Sequence, residues 1–325
     1  MATTQDEAAR LSGAAVPSGA IDVHSHVIPP FLIEALRDSK EPVPALMHPA
    51  AREWSASGTI AAMDNCEVAA SVLSAVPLHA ALRHLEPDSV ASLVRQLNEF
   101  VTTLRHEHRG RFGLFAFLPM PDVERSLREI EYALDVLHAN GIGLCTTYGD
   151  QSIADPAFLP VLAELDRRGA VVFCHPDLPD CCAKIDGAIG FPYDTGRAVF
   201  ALLLNGTLSR FPNIRWIFCH GGGTVPVLAG RVREMTKAMP QLAEVAPNGF
   251  DHELRRLYYE TGNAASSPTM AALLDLVPLS QVMFGTDAPY FGLDMNLRTL
   301  RANRLDREQL QAIERDNALR LFPGL

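Results

Sequence analysis

Five side chains with metal-binding or acid–base chemistry stand at the ends of short apolar runs. His24 and His26 close Ile21–His26, His175 closes Ala170–His175, His220 closes Ile214–His220 and Asp287 closes Val282–Asp287. Side chains two apart on a strand point to the same face, so one strand can aim both His24 and His26 at a common point. Neutral imidazole nitrogens with a carboxylate are the donor set of a borderline divalent ion: zinc first, manganese or iron where more oxygens take part. Three His and one Asp leave a coordination position open for a water or a substrate oxygen, the mark of a catalytic rather than a structural centre. A lone His at a strand end is often a packed core residue, but five polar residues at four strand ends are hard to read that way. The other His residues, at 48, 79, 84, 106, 108, 138 and 252, fall in helical or loop segments and are read as surface. Cys174 and Cys219 each precede a site His by one position and are expected to face surrounding helices.

Strands must carry these residues, and the chain supplies enough of them. Ala69–Pro77, Phe112–Met120, Gly141–Tyr148 and Leu257–Asn263 are further strand-like runs, which makes eight. Helical periodicity follows in Asp88–His108, Val123–Ala139, Pro156–Arg168 and Thr195–Arg210, and again in Leu293–Ala302 and Arg304–Leu321. Asp122, Asp155 and Asp194 are placed as helix N-caps, with Pro156 at a first helical position where its missing N–H costs nothing. Apolar strands alternating with helices imply a parallel sheet covered on both faces. Eight such units predict an α/β fold, a (β/α)8 TIM barrel, as a single domain with extra helices. Residues 21–325 form that domain and residues 1–20 a loose tail. A doubly wound open sheet is the competing arrangement, weakened because no Gly-x-Gly-x-x-Gly follows the first strand. Gly221-Gly222-Gly223 lacks the Lys-Ser/Thr of a phosphate loop.

Composition sets outer bounds. The 325 residues are 48% apolar and 20% charged, an ordinary globular balance. Lys and Arg number 28 against 38 Asp and Glu, a net charge of −10. A chain this acidic has no electrostatic case for coating nucleic acid or an anionic membrane. No apolar window is long enough to span a bilayer. The segment before residue 20 starts with Gln5, Asp6 and Glu7 and lacks a signal peptide's basic start, so a cytoplasmic location is expected. Six Cys are too few for a disulfide scaffold; Cys66, Cys145, Cys174 and Cys219 lie in apolar segments, and the adjacent Cys181 and Cys182 are not expected to bridge each other.

Asp22-Val-His-Ser-His26, His175-Pro176, His220-Gly-Gly-Gly and Gly285-Thr-Asp287, in that order, resemble the amidohydrolase superfamily. The nearest branch is similar to the metal-dependent decarboxylases related to aminocarboxymuconate semialdehyde, γ-resorcylate and 6-methylsalicylate decarboxylases. Binuclear members bridge two metals with a carboxylated Lys on the fourth strand. That run here is Gly141-Ile-Gly-Leu-Cys-Thr-Thr-Tyr148, and Lys40, Lys184 and Lys237, the three Lys of the chain, fall in no predicted strand. The resemblance therefore implies one metal per chain, held by His24, His26, His175 and Asp287, with no organic cofactor. It places His220 beside the metal as a catalytic residue and Asp287 as the acid that protonates substrate. It implies a homodimer in which Arg231 crosses to a substrate carboxylate of the partner subunit, a task suited to a bidentate guanidinium. Thr59 stands where the muconate-semialdehyde enzyme has a second substrate-binding Arg, which disfavours a dicarboxylate. Trp54-Ser55 and Gly190–Arg197 look more like the 6-methylsalicylate type, with Trp54, Phe191 and Tyr193 read as substrate contacts.

The leading reading is non-oxidative decarboxylation of an aromatic o-hydroxy acid. A second is metal-dependent hydrolysis of a lactone, ester or amide, with Asp287 as general base and His220 stabilising the oxyanion. A third, an inactive barrel serving as a binding scaffold, is disfavoured by the complete set of strand-end ligands.

Overall fold

The computed structural model describes residues 18–37, 46, 48–177, 186–239 and 244–325. Residues 1–17 of the expected tail lie outside the described residues, as do Cys181, Cys182, Lys40 and Lys184. Strands buried along nearly their whole length have no face to give to water, so they pair in parallel beneath helices. Eight such strands make one sheet in chain order: β1 (Ala20–His26), β2 (Val68–Ser74), β3 (Phe112–Phe117), β4 (Gly141–Cys145), β5 (Val171–His175), β6 (Arg215–Phe218), β7 (Tyr258–Glu260) and β8 (Val282–Met283). The sheet closes on itself. Ser25 bridges Ala288 in parallel, Val23 N donates to Phe284 O at 3.0 Å and His26 N donates to Ala288 O at 2.7 Å. This is the expected (β/α)8 barrel, and the closing seam excludes the doubly wound open sheet.

Several boundaries differ from expectation for local reasons. The predicted Gly141–Tyr148 strand splits, because Thr147–Tyr148 turns away to pair antiparallel with Gln151–Ser152. Of the predicted Val282–Asp287 strand only two residues keep ladder pairing; Asp287 adopts a left-handed backbone at φ 65. The predicted Thr195–Arg210 helix starts earlier and breaks, giving Phe191–Leu204 and Thr207–Arg210 with Gly206 at φ 78 between them. Asp194 is therefore not an N-cap. It lies inside the helix, where its carboxylate takes hydrogen bonds from Thr146 Oγ1 and Arg197. Asp122 and Asp155 do cap their helices, accepting from Arg125 N at 2.9 Å and Ala157 N at 2.8 Å. Among the described residues no helix is long and apolar enough to cross a membrane.

The core has two layers. An outer layer, including Met63, Phe158, Leu165, Cys174 and Trp216, packs strands against helices. An inner layer fills the barrel with Ile21, Val23, Phe115, Phe173, Ile217, Cys219 and Met283. Cys174 thus faces the helices as expected, whereas Cys219 faces inward. Ile217 and Cys219 take the inward positions of the alternation, so His220 would point outward; its left-handed backbone at φ 55 re-aims the ring. β1 uses a different device. Asp22 pairs with Ser71 and Ser25 with Leu73, so β1 spends one extra residue there. The bulge brings His24 inside after Val23, in ring contact with Phe173 at 5.0 Å.

Below the site Phe115 stacks on Phe173 with centroids 5.0 Å apart and planes 3° from parallel. Phe322, from the last described segment, meets Phe115 edge-on at 5.7 Å. Phe322→Ala is expected to cost about 3–5 kcal/mol through lost burial and an unfilled cavity. Val227→Ala, at a position 77% exposed, should change stability by less than about 0.5 kcal/mol. Denaturant titration of the two variants checks the contrast.

Candidate metal centre

One donor atom from each of His24, His26, His175 and Asp287 lies within 4.8 Å of the others, and all four residues are buried. His24 Nε2 is 3.2 Å from His26 Nε2. Asp287 Oδ1 is 3.0 Å from His26 Nε2 and 3.4 Å from His24 Nε2. The His175 ring stands edge-on to His24 and His26, with centroids 5.2 and 5.0 Å away. His220 joins this group from beyond β6, its Nε2 3.5 Å from Asp287 Oδ2. The barrel thus gathers all five residues singled out from the sequence.

The outer ring nitrogens decide what the inner ones can do. His175 Nδ1 lies 2.7 Å from the Pro176 carbonyl, and His24 Nδ1 lies 3.0 Å from Glu260 Oε1. Both partners only accept, so each Nδ1 carries the proton and donates it. In the neutral ring that leaves the Nε2 lone pair directed at the common point, the tautomer a metal needs. His26 Nδ1 is 3.3 Å from Ser74 Oγ, a partner for either role. Lone pairs converging at these distances repel unless a cation lies among them, so the donor set fits one divalent ion.

The charges agree with that fit. Burial disfavours a charged His24, but the carboxylates of Glu260 and Asp287 outweigh it and push the pKa up to about 9. A metal ion supplies the same positive charge and would displace that proton. Burial, with the other imidazoles, holds His175 well below its ordinary value, and burial also lowers His26. For Asp287 burial acts against the anion, yet the charge of His24 and hydrogen bonds from His220 and His26 hold it well below the usual carboxylate range. Asn263 Nδ2 donates to Asp287 Oδ2 at 3.0 Å.

Several supporting residues escaped the sequence reading. Glu260 ends β7, three residues before the end of the strand-like run Leu257–Asn263, so the sequence pattern does not mark its carboxylate as a strand-end group. Asp22 opens the Asp22-Val-His-Ser-His26 motif, and its role is visible only in the folded chain. It accepts from His24 N at 3.0 Å and from Thr286 Oγ1 at 2.6 Å, and burial pushes its carboxyl up to about 7. Tyr290, three residues past Asp287, lays its ring 5.7 Å from His26.

Of the expected substrate contacts, Phe191 reaches the centre, its ring edge-on to His175 at 5.9 Å. Tyr193 is 64% exposed on the same helix. Trp54 is buried in the outer core, 6.2 Å from the Phe100 ring. Arg231 is exposed on the helix Val225–Ala238. Thr59 lies on Ala56–Asn65, its hydroxyl donating to Ser55 O.

A pH dependence follows for the metal-free protein. The folded state keeps His175 neutral, while an unfolded imidazole takes up a proton below about pH 6.5. The unfolded chain then binds more protons, so this residue's contribution makes stability fall as pH drops from there. His175→Gln removes the contribution. Denaturant titrations in the presence of chelator should show a smaller loss for the variant than for the wild type between about pH 7 and about pH 5.

Comparison with known proteins supports the same architecture. A model of the amidohydrolase family matches residues 21–324. The 6-methylsalicylic acid decarboxylase of Penicillium expansum is 33% identical over 319 residues, covering 94% of this chain and 96% of that protein. Decarboxylase yanB of Aspergillus niger is 32% identical over 324 residues, covering 93% and 87%. A crystal structure of 5-carboxyvanillate decarboxylase from Novosphingobium aromaticivorans, with bound manganese, matches at a TM-score of 0.82 and 20% identity, covering 94% of this chain and 97% of that one. The chain belongs to the amidohydrolase family, within its decarboxylase branch.

Proposed function

We propose that this protein is a metal-dependent carboxy-lyase that decarboxylates an aromatic o-hydroxy acid of the salicylate or 6-methylsalicylate type. The observation that carries the reading is a buried His24–His26–His175–Asp287 donor set with His220 beside it, in a chain 33% identical to a 6-methylsalicylic acid decarboxylase over nearly its whole length. One ion per chain is proposed, Zn2+ first and Mn2+ as the alternative, with no organic cofactor. Held by those four residues, the ion would act as a Lewis acid, orienting the acid and stabilising the negative charge that builds during reaction.

The residues of the chain do the rest. Loss of CO2 from a ring carbon leaves an electron pair there, and protonating that carbon first avoids a carbanion. Asp287, an anion in the resting site, takes the proton of the ring hydroxyl and delivers it to the carbon bearing the carboxylate. The bond to the carboxylate then breaks, its electron pair restores the aromatic ring, and CO2 leaves. His220 holds Asp287 Oδ2 and shares the proton. Phe191 offers an aromatic edge to the substrate ring. In the same proposal residues 21–325 are one domain behind a tail of residues 1–20, and the working form is a cytoplasmic homodimer in which Arg231 reaches the partner subunit's substrate.

The test pairs metal analysis of the purified protein with CO2 release from a panel of hydroxybenzoates that includes 6-methylsalicylate. One metal per chain and CO2 from a ring acid are expected; hydrolysis of lactones or esters without CO2 would replace this reading with the hydrolase one. His175→Ala should release the metal and abolish turnover with the fold retained. His220→Ala should keep the metal and lower kcat by about 10²–10⁴-fold, the range for a general acid–base group. For Arg231, mixing Arg231→Ala with a dead-site variant should restore activity through the mixed dimer. Full activity of Arg231→Ala alone would remove it from the site.

A further inference from the structure

Glu260 is fully buried, and no Lys or Arg pairs with it among the described residues. Such a carboxylate is costly unless hydrogen bonds hold it. Three N–H groups do so. Oε1 accepts from His24 Nδ1 at 3.0 Å and from the backbone N–H of His220 at 2.6 Å, and Oε2 accepts from Gly262 N at 2.5 Å. The surrounding chain has been cleared for it. A Cβ at Gly285 would lie 1.9 Å from Oε2, and one at Gly262 would lie 2.8 Å away. Neither approach leaves room for any side chain.

We infer that Glu260 is a positioning residue: its one carboxylate fixes the tautomer of the ligand His24 and pins the left-handed turn that aims His220 at Asp287. The inference rests on the metal site of the proposed function. Each half follows from geometry. An ionised carboxylate only accepts, so the His24 proton stays on Nδ1 and Nε2 keeps its lone pair for the metal. His220 follows two inward-facing positions of β6 and would otherwise point outward. Its backbone sits at φ 55, a region disfavoured for a residue with a side chain. The hydrogen bond from its N–H to Oε1 holds that conformation, and the ring then lies with Nε2 3.5 Å from Asp287 Oδ2. A metal ligand and the neighbouring catalytic His are thereby set by the same oxygen atom.

The experiment compares wild-type protein with Glu260→Gln and Gly285→Ala. Glu260→Gln keeps the shape but replaces one acceptor oxygen with an NH2 group that must face an N–H donor. Gly285→Ala leaves the carboxylate in place chemically and drives a methyl group into it. Affinity for Zn2+ is read by competition with a chromophoric chelator, and ligand geometry by the visible spectrum of the Co2+ form. Both variants are expected to bind Zn2+ about 10–100-fold more weakly, the usual effect of losing a ligand's supporting partner. They should show an altered Co2+ spectrum and, at saturating metal, a lower kcat for 6-methylsalicylate with KM little changed. A purely structural role would lower the melting temperature while leaving the Zn2+ affinity and Co2+ spectrum of the folded protein unchanged, and that result overturns the inference. The histidine 15N spectrum of the zinc-loaded wild type needs no variant: His24 is expected to carry its proton on Nδ1, and an unprotonated Nδ1 overturns the inference even if the variants fail to fold. Two metals per chain would also overturn it, because His24, His220 and Glu260 would then be ligands of a second ion. Wild-type protein that binds no metal overturns the proposed function as well, whereas equal binding by wild type and Glu260→Gln overturns only the role of Glu260.

Discussion

At the seam where β1 meets the segment after β8, Thr286 Oγ1 donates to Asp22 Oδ2 at 2.6 Å across 264 positions of sequence. Asp287 N donates to His24 O at 2.8 Å, and His26 N donates to Ala288 O at 2.7 Å. His24 and His26 stand on one side of this seam and Asp287 stands on the other. Their spacing is therefore set by backbone bonds inside a closed sheet rather than by the reach of flexible side chains. The bulge in β1 and the left-handed turn at Asp287 refine that placement. Backbone geometry spends its irregularities where a ring or a carboxylate must be turned inward.

Three buried carboxylates, Asp22, Glu260 and Asp287, crowd four buried imidazoles. Neither set would be stable inside the barrel alone. Together they compensate: Asp287 is held as an anion, His24 is drawn to the charged form, and Asp22 shifts toward neutrality. Removing one partner leaves the others uncompensated in a buried site, which is why breaking a buried charge pair costs more than the pair contributes. Phe173, stacked on Phe115, packs against His24 from below that site.

The barrel could be read from the sequence because its strands are largely apolar runs, and the five residues that converge inside it because each stood at the end of such a run. What could not be read depends on backbone detail. Alternation sends His220 outward, and only a left-handed φ brings it back; no spacing rule contains that turn. Glu260 lay in plain view in Tyr258-Tyr-Glu260, but a pattern that overran the strand by three residues hid its position at the end. Asp194 has the residue type of a cap, yet Phe191 and Pro192 already begin the helix before it. Trp54 shows the limit of a local motif. Its ring packs 6.2 Å from that of Phe100 in the outer core, a position that depends on the fold and not on the residues beside it in sequence.

The seam has a kinetic side as well. A contact that joins residues 264 positions apart forms only after most of the intervening chain has ordered, since closing so large a loop is entropically costly until the rest of the sheet supports it. Until then β1 is an unpaired parallel edge, the kind of surface on which partly folded chains associate. His24, His26 and Asp287 come together in the same closing event. Uptake of an ion by this centre would then mark chains that have finished folding, and would draw the closure equilibrium toward the native side by mass action.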